Sequence, residues 1–230
     1  MRQIMFLVIL ASVPISHSLE APSPTQREPK SESKLNVDTA LGYIKPILKS
    51  EGKVARIYYL GACEKEGDYY AVSFPHVSVE LPFKKDDTGL AAIREVFRNE
   101  PSVKVSEAAD GIIRIVVGQL PKTILDTKIS SVTFDQDQQY TASLALTRIQ
   151  SSKEVQQAKR VQGIQLDGAP LYMSAVKPPV AGAPHLNTSM TNLTLDQALD
   201  SVAKTFGGVV LYGVCTAPRF YTVHYVQLKS

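Results

Sequence analysis

The sequence predicts an α+β fold of repeated small helix–β-hairpin modules, packed into one or two subdomains behind a cleaved signal peptide. Three observations carry that expectation. The heptad Ile57-Tyr58-Tyr59-Leu60-Gly61-Ala62-Cys63 recurs near the C-terminus as Val209-Val210-Leu211-Tyr212-Gly213-Val214-Cys215. Each copy follows a helix signal and precedes an aromatic-rich strand. A third segment, Thr88 to Val117, runs through the same order of helix, strand and strand.

The chain opens with Arg2, an apolar stretch from Ile4 to Ile15, and a small-x-small pair at Ser16 and Ser18. That pattern marks residues 1–18 as an export signal. The apolar run is shorter than the roughly 20 residues needed to cross a bilayer core, so no stable membrane insertion is expected after processing. Residues 19–34 are rich in proline, serine and charge and read as a tether, because such a stretch buries too little apolar surface to offset its ordering entropy. The α+β body is drawn over 35–170, a Pro/Gly-rich linker over 171–190, and the C-terminal helix–hairpin unit over 191–230.

In the first unit, Asn36 or Asp38 caps a helix whose apolar face is Ala40, Leu41, Ile44, Ile47 and Leu48. Pro46 within that pattern predicts a kink or a later start. Val54 to Leu60 reads as a strand, Gly61 to Asp68 as a turn, and Tyr69 to Phe74 as the returning strand. In the next unit, Thr88 opens a helix carrying Leu90, Ile93, Val96 and Phe97. The Asp110-Gly111 hairpin signal then joins Val103–Val105 to Ile112–Val117. Lys128 to Phe134 reads as a strand and Gln139 to Ala158 as one helix with an imperfect apolar face. In the last unit Thr194 caps a helix bearing Ala198, Leu199, Val202, Ala203 and Phe206, and Gly207-Gly208 ends it. Strands at Val209–Cys215 and Phe220–Leu228 close the chain.

Composition narrows the partners. With 25 Lys and Arg against 22 Asp and Glu the formal net charge is +3, and removing Arg2 with the signal leaves +2. So small an excess predicts no nucleic-acid partner. The chain's two cysteines, Cys63 and Cys215, occupy the same place in the two heptads. In an exported protein they can form one disulfide if the two units pack about a pseudo-two-fold axis; two buried thiols are the alternative.

The run from Asn192 to Val210, with its capped leucine-marked helix, glycine stop and apolar strand, resembles the secretin and TonB short N-terminal domain. The segment Gly89 to Val117, with Pro101-Ser102-Val103-Lys104-Val105 and Asp110-Gly111-Ile112-Ile113-Arg114-Ile115, is similar to the same family or to secretin ring-building domains. The resemblance implies small α/β modules of the Gram-negative periplasm that contact other proteins and are not enzymes. The expected location is therefore periplasmic or secreted, and the expected partner is another envelope protein, met through a sheet edge or face. Neither a barrel nor a secretin pore region is read after the modules, so secretin assembly itself is not implied.

Catalytic constellations find little support in the sequence. His76, His185 and His224 share no metal-ligand spacing, and neither cysteine has a CxxC partner. There is no G-x-S-x-G element, and Gly207-Gly208 follows a helix instead of opening one, so no metal and no cofactor is expected. Tyr58, Tyr59, Tyr69, Tyr70, Tyr212, Tyr221 and Tyr225 gather in the two repeated hairpins and form the candidate interaction surface, since tyrosine is favoured at interfaces. Alternation of these rings between core and solvent is the competing reading. The expected function is a non-catalytic interaction or assembly module; the alternative is an exported enzyme or small-ligand carrier with a pocket between the repeats.

Overall fold

A computed structural model describes residues 34–35, 37–67, 69–78, 88–165 and 181–228; for 34–35, 37–39, 66, 69 and 78 it describes the backbone alone. The expected signal peptide and tether lie outside these residues. In chain order the elements are β1 (Lys34–Leu35), α1 (Val37–Ser50), β2 (Ala55–Leu60), β3 (Ala62–Glu66), β4 (Tyr69–Ser73), β5 (Val77–Ser78), α2 (Gly89–Val96), β6 (Val103–Glu107) and β7 (Ile113–Val117). They continue with β8 (Lys128–Thr133), α3 (Gln136–Tyr140), α4 (Ala142–Gln150), α5 (Lys153–Val161), β9 (Ser189–Thr194), α6 (Leu195–Phe206), β10 (Gly208–Thr216) and β11 (Arg219–Gln227). The fold is thus mixed α and β, as the sequence predicts.

A five-stranded sheet in the order β11-β10-β2-β7-β6 forms the centre. Its three inner strands are mutually parallel, and β11 and β6 close it antiparallel at the two edges. Parallel strands covered on both faces need near-continuous apolar sequence, which Ala55–Leu60, Ile113–Val117 and Gly208–Cys215 supply. On one face Ala55, Ile57, Tyr59, Ile113, Ile115, Val209 and Leu211 pack with Ala40, Leu41, Ile44 and Leu48 of α1 and Ile93 and Val96 of α2. On the other, Tyr58, Val210, Tyr212 and Val214 pack with Leu195, Ala198, Leu199, Val202 and Ala203 of α6 and with Ala145, Leu146 and Ile149 of α4. Both faces of the central sheet are therefore covered by helices among the described residues, which leaves its two edges, β11 and β6.

Helix α1 runs unbroken past Pro46. The proline leaves the Gly42 carbonyl without its helical N–H, but both residues are on the exposed side, where that carbonyl is open to solvent. Where a turn was expected at Gly61, the chain bends out of the sheet and continues as β3, which turns at Gly67 (φ 63°) and pairs with β4. A Cβ at Gly61 would stand 1.9 Å from the Ser73 carbonyl oxygen, so the bend needs glycine. The matching strand β10 runs straight through Gly213.

The single helix expected over Gln139–Ala158 is three. A capping box opens α3, in which Gln138 N–H donates to Asp135 Oδ1 at 3.0 Å and Asp135 N–H donates to Gln138 Oε1 at 3.2 Å. Extended backbone at Thr141 and Ser152 then breaks the run. Ala142, Ala145, Leu146 and Ile149 share one helical face within α4, and the break at Ser152 lets Val155 of α5 turn inward as well, which one continuous helix would set about 240° away from Ile149. Of the expected linker over 171–190, Ser189 and Met190 belong to β9, which pairs with β8, and residues 171–180 lie outside the described ones.

Cys63 and Cys215 form a disulfide with a Cα–Cα distance of 5.4 Å. It staples the β3–β4 hairpin to β10. The two strands carrying the repeated heptad are direct neighbours in the sheet, with Ile57 opposite Leu211.

Candidate functional site

The seven tyrosines do not share a face. Tyr58, Tyr212 and Tyr221 lie on the α6 side of the sheet and Tyr59 on the α1 side, each between 1% and 5% exposed. They belong to the core, because parallel strands under two helical layers have no solvent face to offer. Tyr70 and Tyr225 are half-buried; Tyr70 packs against Phe220, and Tyr225 donates to the Phe206 carbonyl at 2.7 Å. The Tyr69 side chain lies outside the described residues.

Burial pushes the phenols of Tyr58, Tyr59 and Tyr212 up, and that of Tyr225 up to about 12. Two rings serve a second purpose. Tyr59 lies across Gly213 and Tyr225 across Gly208, so that a Cβ at either glycine would meet a ring atom at 2.3 Å.

A polar cluster that the sequence analysis did not single out lies beneath α6. Arg56 and Arg114 are register partners on β2 and β7, so their side chains leave the same sheet face side by side. Asp196 and Asp200 stand one turn apart on α6 and come down onto them. Arg56 Nη1 donates to Asp200 Oδ1 at 2.9 Å and to the Asp196 carbonyl at 3.0 Å. Arg114 Nη2 donates to Asp200 Oδ2 at 2.5 Å and Nη1 to Asp196 Oδ2 at 3.0 Å. Tyr58 accepts from Arg114 and donates to Asp196 Oδ1 at 2.9 Å, with the Arg56 guanidinium 4.9 Å from its ring centre.

Arg56 is fully buried, and its Nη2 lies 3.2 Å from Asp196 Oδ1 as an ion pair without hydrogen-bond alignment. Burial pushes the Asp200 carboxyl up against the pull of both arginines. Two cations face two anions, and the carboxylates are spent on the guanidiniums. The arrangement therefore fastens α6 to the sheet. Its signal was available in the sequence: an arginine as the second residue of each of the apolar strands β2 and β7, and two aspartates four apart on one helix.

The cysteines are oxidised to one another and so are not nucleophiles. Among the described residues no group of three or more His, Cys, Asp or Glu is placed to hold a metal. His185 stacks on Tyr140 at 5.0 Å, while His76 and His224 lie on other segments. A cavity of about 530 Å³ opens along α5 beside Lys153, Glu154, Gln157, Ala158, Val161 and Gln162. It belongs to neither heptad-bearing unit.

The two edges of the central sheet differ. Along β6, Val103 N–H donates to the Glu100 carbonyl at 3.0 Å, and Arg94 Nε donates to the Val105 carbonyl at 3.2 Å. With Lys104 and Glu107 exposed beside them, this short edge is blocked in the usual ways.

On β11 the direction of the backbone groups follows from the ladder. Gly61 N–H donates to the Val214 carbonyl, so Val214 turns its backbone groups toward β2. Alternation turns Cys215, Gly213, Leu211 and Val209 toward β11, where Phe220, Thr222, His224 and Val226 answer them. Val223, Tyr225 and Gln227 are then directed outward. Among the described residues, no backbone hydrogen bond reaches their outer side; the one on this edge runs from Gln165 N–H to the Arg219 carbonyl. From Phe220 to Gln227 the strand contains no Lys, Arg, Asp, Glu or Pro.

No family model matches this chain, and neither a curated protein nor a solved structure is significantly similar to it. The disulfide fits an oxidising compartment, extracellular or periplasmic. No helix among the described residues is long and apolar enough to cross a membrane.

Proposed function

We propose that this protein is an exported, non-catalytic interaction or assembly module that binds another envelope protein by strand addition along the outer edge of β11, from Val223 to Gln227. The contrast between the two sheet edges carries this reading. Natural sheets protect an edge with charge, proline, brevity or a capping side chain. Strand β6 has such protection, whereas the end of β11 directs backbone donors and acceptors outward from an uncharged stretch flanked by half-buried Val223, Tyr225 and Val226. An added strand would satisfy those groups by main-chain hydrogen bonds and lay alternate side chains on the apolar rims.

The repeated helix–hairpin unit and the export signal complete the proposal. The two heptads lie as parallel neighbours, and a disulfide between their equivalent cysteines gives a scaffold suited to an oxidising envelope. The absorbed charges of the Arg56–Asp200 cluster and the oxidised cysteines support a non-catalytic role.

The test is site-specific photo-cross-linking in cells that export the full chain. A photoreactive residue at exposed Gln227 is expected to give an adduct with another envelope protein, and one at Lys104 on β6 is expected to give none. Equal yields from both positions, or no adduct from Gln227, would overturn the edge reading.

A further inference from the structure

We draw no further inference here: the strongest candidate, the uncharged outer edge of β11 between Val223 and Gln227 taken as a pairing surface for a second copy of this chain, belongs to the site already described, and nothing in the structure shows what covers it.

Discussion

Two kinds of residue fix this molecule, and each makes a prediction. Asp200 is one of two carboxylates facing the fully buried Arg56 guanidinium. Removing one member of a buried pair leaves the other desolvated and unmatched, which costs about 3–5 kcal/mol. Asp200→Ala should lower stability by about that amount in urea unfolding. Arg56→Met combined with Asp200→Leu should recover much of it, because the charge and its partner disappear together. If the single change costs under about 1 kcal/mol, the cluster is not holding α6 to the sheet.

Gly213 belongs to the second kind. Its missing side chain is the space taken by the Tyr59 ring, which is held by Phe74 at 4.8 Å and by the Val72 carbonyl. Gly213→Ala should destabilise by about 1–3 kcal/mol through overpacking. Added to Tyr59→Leu it should cost less than it does alone, and strict additivity in the double-mutant cycle would show that the two do not meet.

At the scale of elements, local signals were legible wherever a few adjacent residues settle the backbone. Asp110-Gly111 marks the β6–β7 turn, and Thr194 marks the start of α6, where Gln197 completes a capping box. Elements whose ends depend on distant contacts were not legible. Gly61 reads as the start of a turn, yet the chain there leaves the sheet for β3 with the Ser73 carbonyl where a Cβ would stand, while Gly213 in the same motif stays within β10 with the Tyr59 ring in that place. The same Gly-x-Cys element thus has two outcomes, and different groups pack on the glycine in each.

The bend makes the β3–β4 hairpin depend on its staple. The disulfide spans 152 residues, and the chain-entropy argument assigns a loop of that length about 4–5 kcal/mol. Cys63→Ser with Cys215→Ser should therefore lower stability by up to that amount. Hydrogen exchange should quicken first in residues 62–73, which leave the central sheet, and last in 208–216 within it. Free alkylation of both cysteines in the unreduced exported protein would remove the staple from this account.

The whole molecule was legible as a list of parts and not as an arrangement. Periodicity predicts the strands, and the β10–β11 hairpin is local, but nothing local says that β10 lies beside β2, since Val209 and its partner Ala55 are 154 residues apart in the chain (209 − 55). The same arrangement decides the tyrosines, whose burial follows from helices on both faces of the sheet. Tyr58, Tyr59, Tyr212 and Tyr225 all have phenols raised by desolvation, Tyr225 to about 12, against an unfolded value near 10.

The sign follows directly. Between the unfolded and folded values the unfolded chain has released protons that the folded chain still holds, so raising the pH favours unfolding. Stability should be at its full value below about pH 10 and fall above it, by roughly 1.4 kcal/mol per pH unit for each buried ring. Three buried rings and the half-buried Tyr225 together give a steep loss, so base unfolding should be cooperative. Absorbance of phenolate near 295 nm and far-ultraviolet circular dichroism, followed together from pH 9 to 13, should show these tyrosines ionising in one step that coincides with loss of structure. A smooth titration of every tyrosine near pH 10 with the dichroism unchanged would mean that the rings face solvent, and the layered packing on both faces of the sheet would fall with it.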